Sequence, residues 1–323
     1  MKKSTTKYLI GIDIGGTKCA VVIGDENFNI YKRVQFDTKT ERSYSEILNE
    51  FFNILEELFI EFPKEQFKQI GISCGGPLDS KKGIIYSPPN LPSWDNVPIV
   101  KLFQDKFGIP TAIQNDANAS ALAEWLMGAG KGTQNMIFLT FGTGMGSGLI
   151  LNGQLYAGTN DLGGEVGHIR LAKDGPVGFG KAGSFEGFCS GGGIAQLAKT
   201  IVARNFDSGK NVDFCNKSEI DKLSAKTVAI AANQGDQVAN EIIKISAEYL
   251  GKALAILIDT LNPECIVIGS IYARNEMLFK PHVEKILQQE AISAAVDVCK
   301  IVPAKLGDSI GDYAALCVAV NEN

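Results

Sequence analysis

Two short stretches place glycines and hydroxyls where backbone amides could hold an anion. In the first, Gly11-Ile-Asp-Ile-Gly-Gly-Thr-Lys18, an apolar run from Tyr8 to Ile14 carries one carboxylate, Asp13, and breaks at Gly15 and Gly16. Glycine lets N–H groups approach a phosphate, Thr17 and Lys18 add a hydroxyl and an ammonium, and Asp13 can hold a phosphate-bound Mg²⁺ through water. The second, within residues 135–151, repeats the design as apolar strand, Gly142-Thr143-Gly144 turn, apolar strand. Laid together, Asp13 falls on Thr140 and Gly15 on Gly142. A single glycine turn is most often a tight hairpin, but two of one design point to a nucleotide. Ile266-Val-Ile-Gly269-Ser270 is a strand running into a further glycine turn, a third candidate contact. Other nucleotide motifs fit badly. Gly142-x-Gly144-x-Gly146 lacks the spacing of a dinucleotide site, and the Gly11 to Gly16 run is followed by Thr17 where a Walker loop needs lysine.

Asn115-Asp116 opens a helical pattern carrying Ala119, Leu122, Ala123, Trp125 and Leu126. Asp116 then has two readings, a helix cap or a carboxylate kept ionised by the helix N-terminus and ready to accept a proton. Glu165 and His168 stand three apart, which puts them on one side of a helical turn. A lone histidine is usually a hydrogen-bonded structural residue, so both readings stand for His168 as well. Asn90 lies in Ser87-Pro-Pro-Asn-Leu-Pro-Ser-Trp94, whose prolines exclude a regular element, and it can face a ligand from that loop or simply form a turn.

The elements that must position these residues alternate between strand-like and helix-like patterns, which argues for α/β architecture. Strands are expected at 8–14, 19–24, 29–37, 70–74 and 111–114, and helices at 44–60, 191–206, 218–233, 236–260 and 313–320. Residues 153–193 are glycine-rich and hold Glu165, His168 and Glu186, a long functional-type loop region. The 323 residues, 45% of them apolar, allow two domains with sizeable cores. A formal net charge of −5 gives no bulk reason to expect nucleic acid or an anionic membrane. No apolar run reaches the length of a spanning helix, and the basic start Met1-Lys2-Lys3 leads straight into the first motif, so a cytoplasmic location is expected. Seven scattered cysteines in apolar strings read as reduced core thiols.

Taken in order, the motifs resemble the ROK family of sugar kinases and their repressor relatives, which share the actin-like, hexokinase-like ATPase fold. The likeness rests on Asp13-Ile-Gly-Gly-Thr-Lys18, Gly76-Pro-Leu-Asp79, Ser87 to Trp94, Asn115-Asp-Ala-Asn118, Gly142-Thr-Gly144, Glu165-Val-Gly-His168 and Asn262-Pro263 to Gly269. It implies two actin-like (ribonuclease H-like) domains with a ligand cleft between them, at residues 1–117 and 118–305. A C-terminal helix within 306–323 would pack back on the first domain. It implies ATP and Mg²⁺ as cofactors, held through Asp13, Gly15, Gly16, Thr17, Lys18, Gly142, Thr143, Gly144 and Gly269. It also implies a hexose or hexose derivative facing Gly76, Asn90, Asn115, Asp116, Glu165, His168 and Glu186, with Asp116 as catalytic base for phosphorylation at the C6 hydroxyl. A homodimer is the implied assembly.

One departure stands out. The family's zinc loop has a Cys-x-Cys-Gly…Gly-Cys-x-Glu run with the preceding histidine as fourth ligand, whereas here Val177, Phe179 and Ser184 occupy the thiolate positions. Valine and phenylalanine cannot bind zinc, and His168 with one distant Cys189 cannot close a tetrahedral site. No structural zinc is expected, with Phe179 and Phe185 replacing it by apolar packing. Two alternatives to a kinase follow from the same likeness. A sugar-sensing ROK regulator would carry a DNA-reading domain ahead of the first phosphate strand, where about seven residues stand, too few for one. A non-catalytic sugar-binding protein is the other, against which Asp13, Lys18 and Asp116 are all retained.

Overall fold

The computed structural model describes residues 7–321, so the basic start at Met1 to Lys3 lies outside the described residues. The chain forms two compact units. One comprises residues up to Lys131, Leu155–Gly163 and the stretch from Leu306 on; the other comprises Gly132–Gln154 and Gly164–Lys305. The boundary thus differs from the expected division after residue 117. The helix Asp116–Leu126 packs against the last helix, Ile310–Val320, and stays with the first unit.

The first unit is built on a five-stranded sheet ordered Ile30–Asp37, Lys18–Gly24, Tyr8–Ile14, Phe67–Cys74, Thr111–Asn115. The first two pairings are antiparallel and the next two parallel. The central strands are apolar on both faces because both are covered. On one side lie the helix Tyr44–Glu61, through Ile47, Phe51 and Leu55, and the helix Ile99–Phe107, which is not among the expected helices. The last helix lies close on the sheet, with Leu316 and Ala319 beside Leu9 and Val22. Glycines allow that approach: a Cβ on Gly71 would stand 2.3 Å from the Ala315 carbonyl oxygen.

The second unit repeats the order of the inner strands with Ser147–Leu151, Met136–Leu139, Cys265–Ile268 and Lys300–Pro303. Its hairpin is again antiparallel and its outer pairs parallel. The helices Gly191–Asp207 and Gln237–Leu261 bury one apolar face each in a single core with that sheet. The expected helix at 218–233 is instead a 3₁₀ segment, Lys217–Lys222, followed by the helix Ala225–Asn233. Ser224 breaks the run by capping the second piece, its side chain accepting from the Thr227 N–H. The helix Glu276–Glu290 carries Pro281 inside it, a residue that disguised the helical pattern in the sequence. All seven cysteines are unpaired and six of them are buried. Among the described residues, no helix is long and apolar enough to cross a membrane.

Candidate active site

Nine of the expected site residues lie in the first unit, and the structure gathers them at the ends of adjoining strands. Tyr8–Ile14 and Lys18–Gly24 pair with Ile14 opposite Cys19, leaving Gly15, Gly16 and Thr17 as the turn. That turn is pinned from outside: the Thr38 hydroxyl donates to the Gly15 carbonyl at 2.6 Å and the Thr38 N–H to the Thr17 carbonyl at 2.9 Å. Its glycines are required by neighbours. A Cβ on Gly15 would meet the Lys18 carbonyl oxygen at 2.7 Å, and one on Gly16 would meet Asn90 Cβ at 2.8 Å. Asn90 therefore rests on the turn while remaining exposed, and the buried side chains of Leu91 and Trp94 anchor its loop beneath. Thr17 and Lys18 point to solvent.

Asn115 ends its strand and caps the helix Asp116–Leu126, its side-chain oxygen accepting from the N–H groups of Ala117 and Asn118. The capping role weighed for Asp116 thus falls chiefly to its neighbour. Asp116 Oδ1 accepts from its own helix at the Ala117 N–H, 2.8 Å away. Gly76, which follows the strand Phe67–Cys74 and precedes Pro77 in a cis peptide, packs on Asn115, and Gly75 lies between Asn90 and Asp116. Asp116 keeps contact with solvent but stands among enough protein that desolvation raises its pKa, with the Ala117 N–H opposing. Asp79, at the far end of this loop, is a turn former that accepts from the Lys82 N–H.

Asp13 is half-buried below the turn. Burial first, then the negative charges of Asp116 and Asp312, push its carboxyl up to about 7, against the Arg33 guanidinium. Two partners of this group went unseen in the sequence. Gly311 at the start of the last helix leaves no room for a Cβ beside Asp13, which would stand 2.6 Å from Oδ2. Asp312 takes both oxygens to Arg33 Nε, at 2.7 and 3.0 Å. A carboxylate crowded by two others and opposed by one guanidinium favours a cation beside it, so the residues fit a hydrated Mg²⁺.

In the second unit, the hairpin Met136–Leu139 and Ser147–Leu151 closes through a longer turn. The Thr140 N–H donates to the Gly146 carbonyl, the Gly146 N–H to the Thr140 hydroxyl, and the Gly142 N–H to the Gly144 carbonyl. The turn is braced by the N-terminus of the helix Gly191–Asp207, where the N–H groups of Gly191 and Gly192 donate to the carbonyls of Gly142 and Thr143. Three consecutive glycines opening a helix were the signal for this contact, since glycine there costs helix stability and needs another reason. Gly269 donates its N–H to the Leu139 carbonyl, bringing the third turn against the same hairpin. Ser270 after it sits at φ +47°, in the left-handed region that glycine adopts more readily than serine.

Glu186 belongs with this turn. Its Oε2 accepts from the Met145 N–H at 3.0 Å, and a Cβ on Gly144 would come within 2.8 Å of that oxygen. Glu165 precedes the 3₁₀ turn Val166–His168, its carbonyl accepting from the His168 N–H at 3.2 Å, so the pair does share one turn. The His168 ring meets Phe179 edge-on at 5.0 Å between centroids. Of the two phenylalanines expected to take over from zinc, Phe185 is fully buried whereas Phe179 is 67% exposed and sets its ring against the histidine.

The ROK family profile matches residues 9–321 of this chain. The chain belongs to the ROK family. Among ROK relatives, the glucokinase of Halalkalibacterium halodurans is 31% identical over 310 residues, covering 94% of this chain and 92% of its own. A putative xylose repressor of Caldicellulosiruptor is 29% identical, covering 93% of this chain but 75% of the repressor. In three dimensions the Streptomyces griseus ROK glucokinase, solved with glucose and AMPPNP, superposes with a TM-score of 0.77 at 27% identity over 97% of this chain and 99% of that one. The repeated sheet order, with an antiparallel hairpin leading three parallel strands, is the actin-like ATPase fold of this family. The family's zinc does not fit here: Val177 and Phe179, at two of the three thiolate positions, offer no donor atom.

Proposed function

We propose that this ROK protein is an ATP-dependent hexose kinase of the glucokinase type, with Asp116 as general base and the C6 hydroxyl as acceptor. The observation that carries the reading is Asp116: a carboxylate open to solvent, fixed by the first turn of its own helix, with Gly75 beside it and Asn115 preceding it. Such a group accepts a proton from a hydroxyl as that oxygen attacks phosphorus. The bond from the γ-phosphorus to the bridging oxygen breaks, and ADP leaves with the electron pair.

Lys18 and the turn amides of residues 15–17 take the nucleotide phosphates in this reading, as do Gly142, Thr143 and Gly144 in the repeated turn. A bound Mg²⁺ supplies neutralisation of phosphate charge, and Asp13 holds its water shell. Asn90, Asn115, Glu165 and His168 orient the sugar through donors and acceptors at fixed angles. Glu186 joins them through the family pattern, although its carboxylate is committed to the Met145 N–H. Two curated glucokinases at 31% identity support the kinase reading. The protein works as a homodimer in this reading, with no call on nucleic acid or membrane. A coupled assay for ADP with glucose, mannose, fructose, allose and N-acetylhexosamines tests it, and ADP release with none of them overturns it.

The second reading, a sugar-sensing regulator, is supported by the xylose repressor's similar identity. Sugar binding without turnover, together with specific retention of a DNA fragment, would favour it.

A further inference from the structure

We infer that Gln196, Lys181 and Ser184 are positioning residues that hold the loop carrying His168 and Glu186 by protein contacts alone, doing what a metal does in zinc-bearing relatives. Each position that has lost a ligand has gained a different fastening. Val177 is gripped by the side-chain amide of Gln196: the Val177 N–H donates to Oε1 and Nε2 donates to the Val177 carbonyl, both at 2.9 Å. Gln196 stands on the helix Gly191–Asp207, so this two-point clamp ties the loop to the same helix that braces the Gly142 turn.

Phe179 lies at the tip of a two-residue hairpin between Val177–Gly178 and Lys181–Ala182. Its φ of +42° and the +75° of Gly180 match the turn type that two-residue hairpins favour. The tip delivers the Phe179 ring edge-on to His168, and Lys181 Nζ donates to the His168 carbonyl at 2.8 Å. Ser184, fully buried, turns its hydroxyl to the Gly187 N–H at 3.1 Å and so caps the short helix Phe185–Phe188 that presents Glu186. The remaining seam is backbone: the Phe185 N–H donates to the Ile169 carbonyl, and the Leu171 and Ala172 N–H groups share the Gly183 carbonyl. Three lost thiolates are replaced by an amide clamp at Val177, a ring contact from Phe179 and a helix cap at Ser184, and the retained His168 is held by a lysine tether.

That His168 and Glu186 serve a sugar rests on the kinase reading; that this loop is fastened without metal does not, and the test separates the two. The protein purified without chelator is first assayed for metal, with far less than one zinc per chain expected. The chain has only two histidines, so with labelled histidine the ring C–H signal of His168 is identified by its loss in His168→Gln, and His282 serves as internal reference. Phe179→Leu should move the His168 signal by removing the ring beside it. Lys181→Met and Gln196→Ala should move it in the same direction while His282 stays put. In Gln196→Ala, trypsin should cut after Lys173 and Lys181 about tenfold faster than in the parent, with Gln196→Glu intermediate because it keeps the acceptor and loses the donor. A stoichiometric zinc, or a His168 signal unchanged in both Lys181→Met and Gln196→Ala together with an unchanged tryptic rate in Gln196→Ala, overturns the proposal. A shifted signal in a protein without kinase activity would sustain this inference and count against the kinase reading.

Discussion

The carboxylate of Glu186 and the backbone of Gly144 share one small volume: Oε2 takes the neighbouring Met145 N–H, and any side chain at Gly144 would intrude on it. Gly144→Ala and Glu186→Ala should therefore each weaken AMPPNP binding, and the double variant should be less than additive. Titration calorimetry on the four proteins of this cycle should return a coupling above about 0.5 kcal/mol, the threshold for contacting residues. Additive losses would mean that the two do not act through one contact.

Asp116→Asn removes the proton acceptor while leaving an oxygen that can still take the Ala117 N–H. Turnover with the best sugar should fall by about 10² to 10⁴, the usual worth of a general base, while thermal unfolding stays near the parent value. An unchanged kcat would defeat the assignment.

Asp13 gives the apoprotein a pH signature. Its folded pKa of about 7 exceeds the ordinary 3.8, so the folded state binds the proton more tightly than the unfolded chain does. Its contribution is favourable at low pH and is lost as pH rises from about 4 to about 7. The apparent Tm of apoprotein should fall more steeply over that window than in Asp13→Asn, and MgATP should flatten the parent's slope by neutralising the charge. Parallel pH profiles for parent and variant would show that the crowding around Asp13 has no such effect.

Glu124 is fully buried, and its two oxygens accept from the N–H groups of Ala129 and Leu306, each at 2.8 Å. Glu124→Gln turns one acceptor into a donor facing a backbone donor. Urea unfolding should show a loss of about 1–3 kcal/mol, the cost of stranding a buried polar group. No change in the midpoint would indicate that the turn relaxes freely.

Both phosphate-type turns were legible in the sequence because Gly15, Gly16, Gly142 and Gly144 sit where apolar strands break and have no propensity reason to be there. Asn115 and Asp116 were legible because a helix start announces itself by residue type. What stayed hidden involves partners without a residue signature. The Met145 N–H that holds Glu186 is a backbone group any residue would supply, and Arg33 finds Asp312 across 279 positions of chain. The division of units was misplaced for a related reason: the helix Asp116–Leu126 looks like the start of a new layer until the last helix packs against it. Pro281 and Ser224 hid a helix and a helix break by local rules that tertiary packing overrode in one case and obeyed in the other.

The last helix also fixes an order of assembly during synthesis. The sheet that carries Asp13 and leads into Asp116 is made within the first 115 residues, yet Leu9 and Val22 remain uncovered until Leu316 and Ala319 have been translated. The second unit ends at Lys305, so all of it is synthesised before the first can close. The part of the chain made first is therefore finished last, and until then one apolar face of its sheet stays open to water.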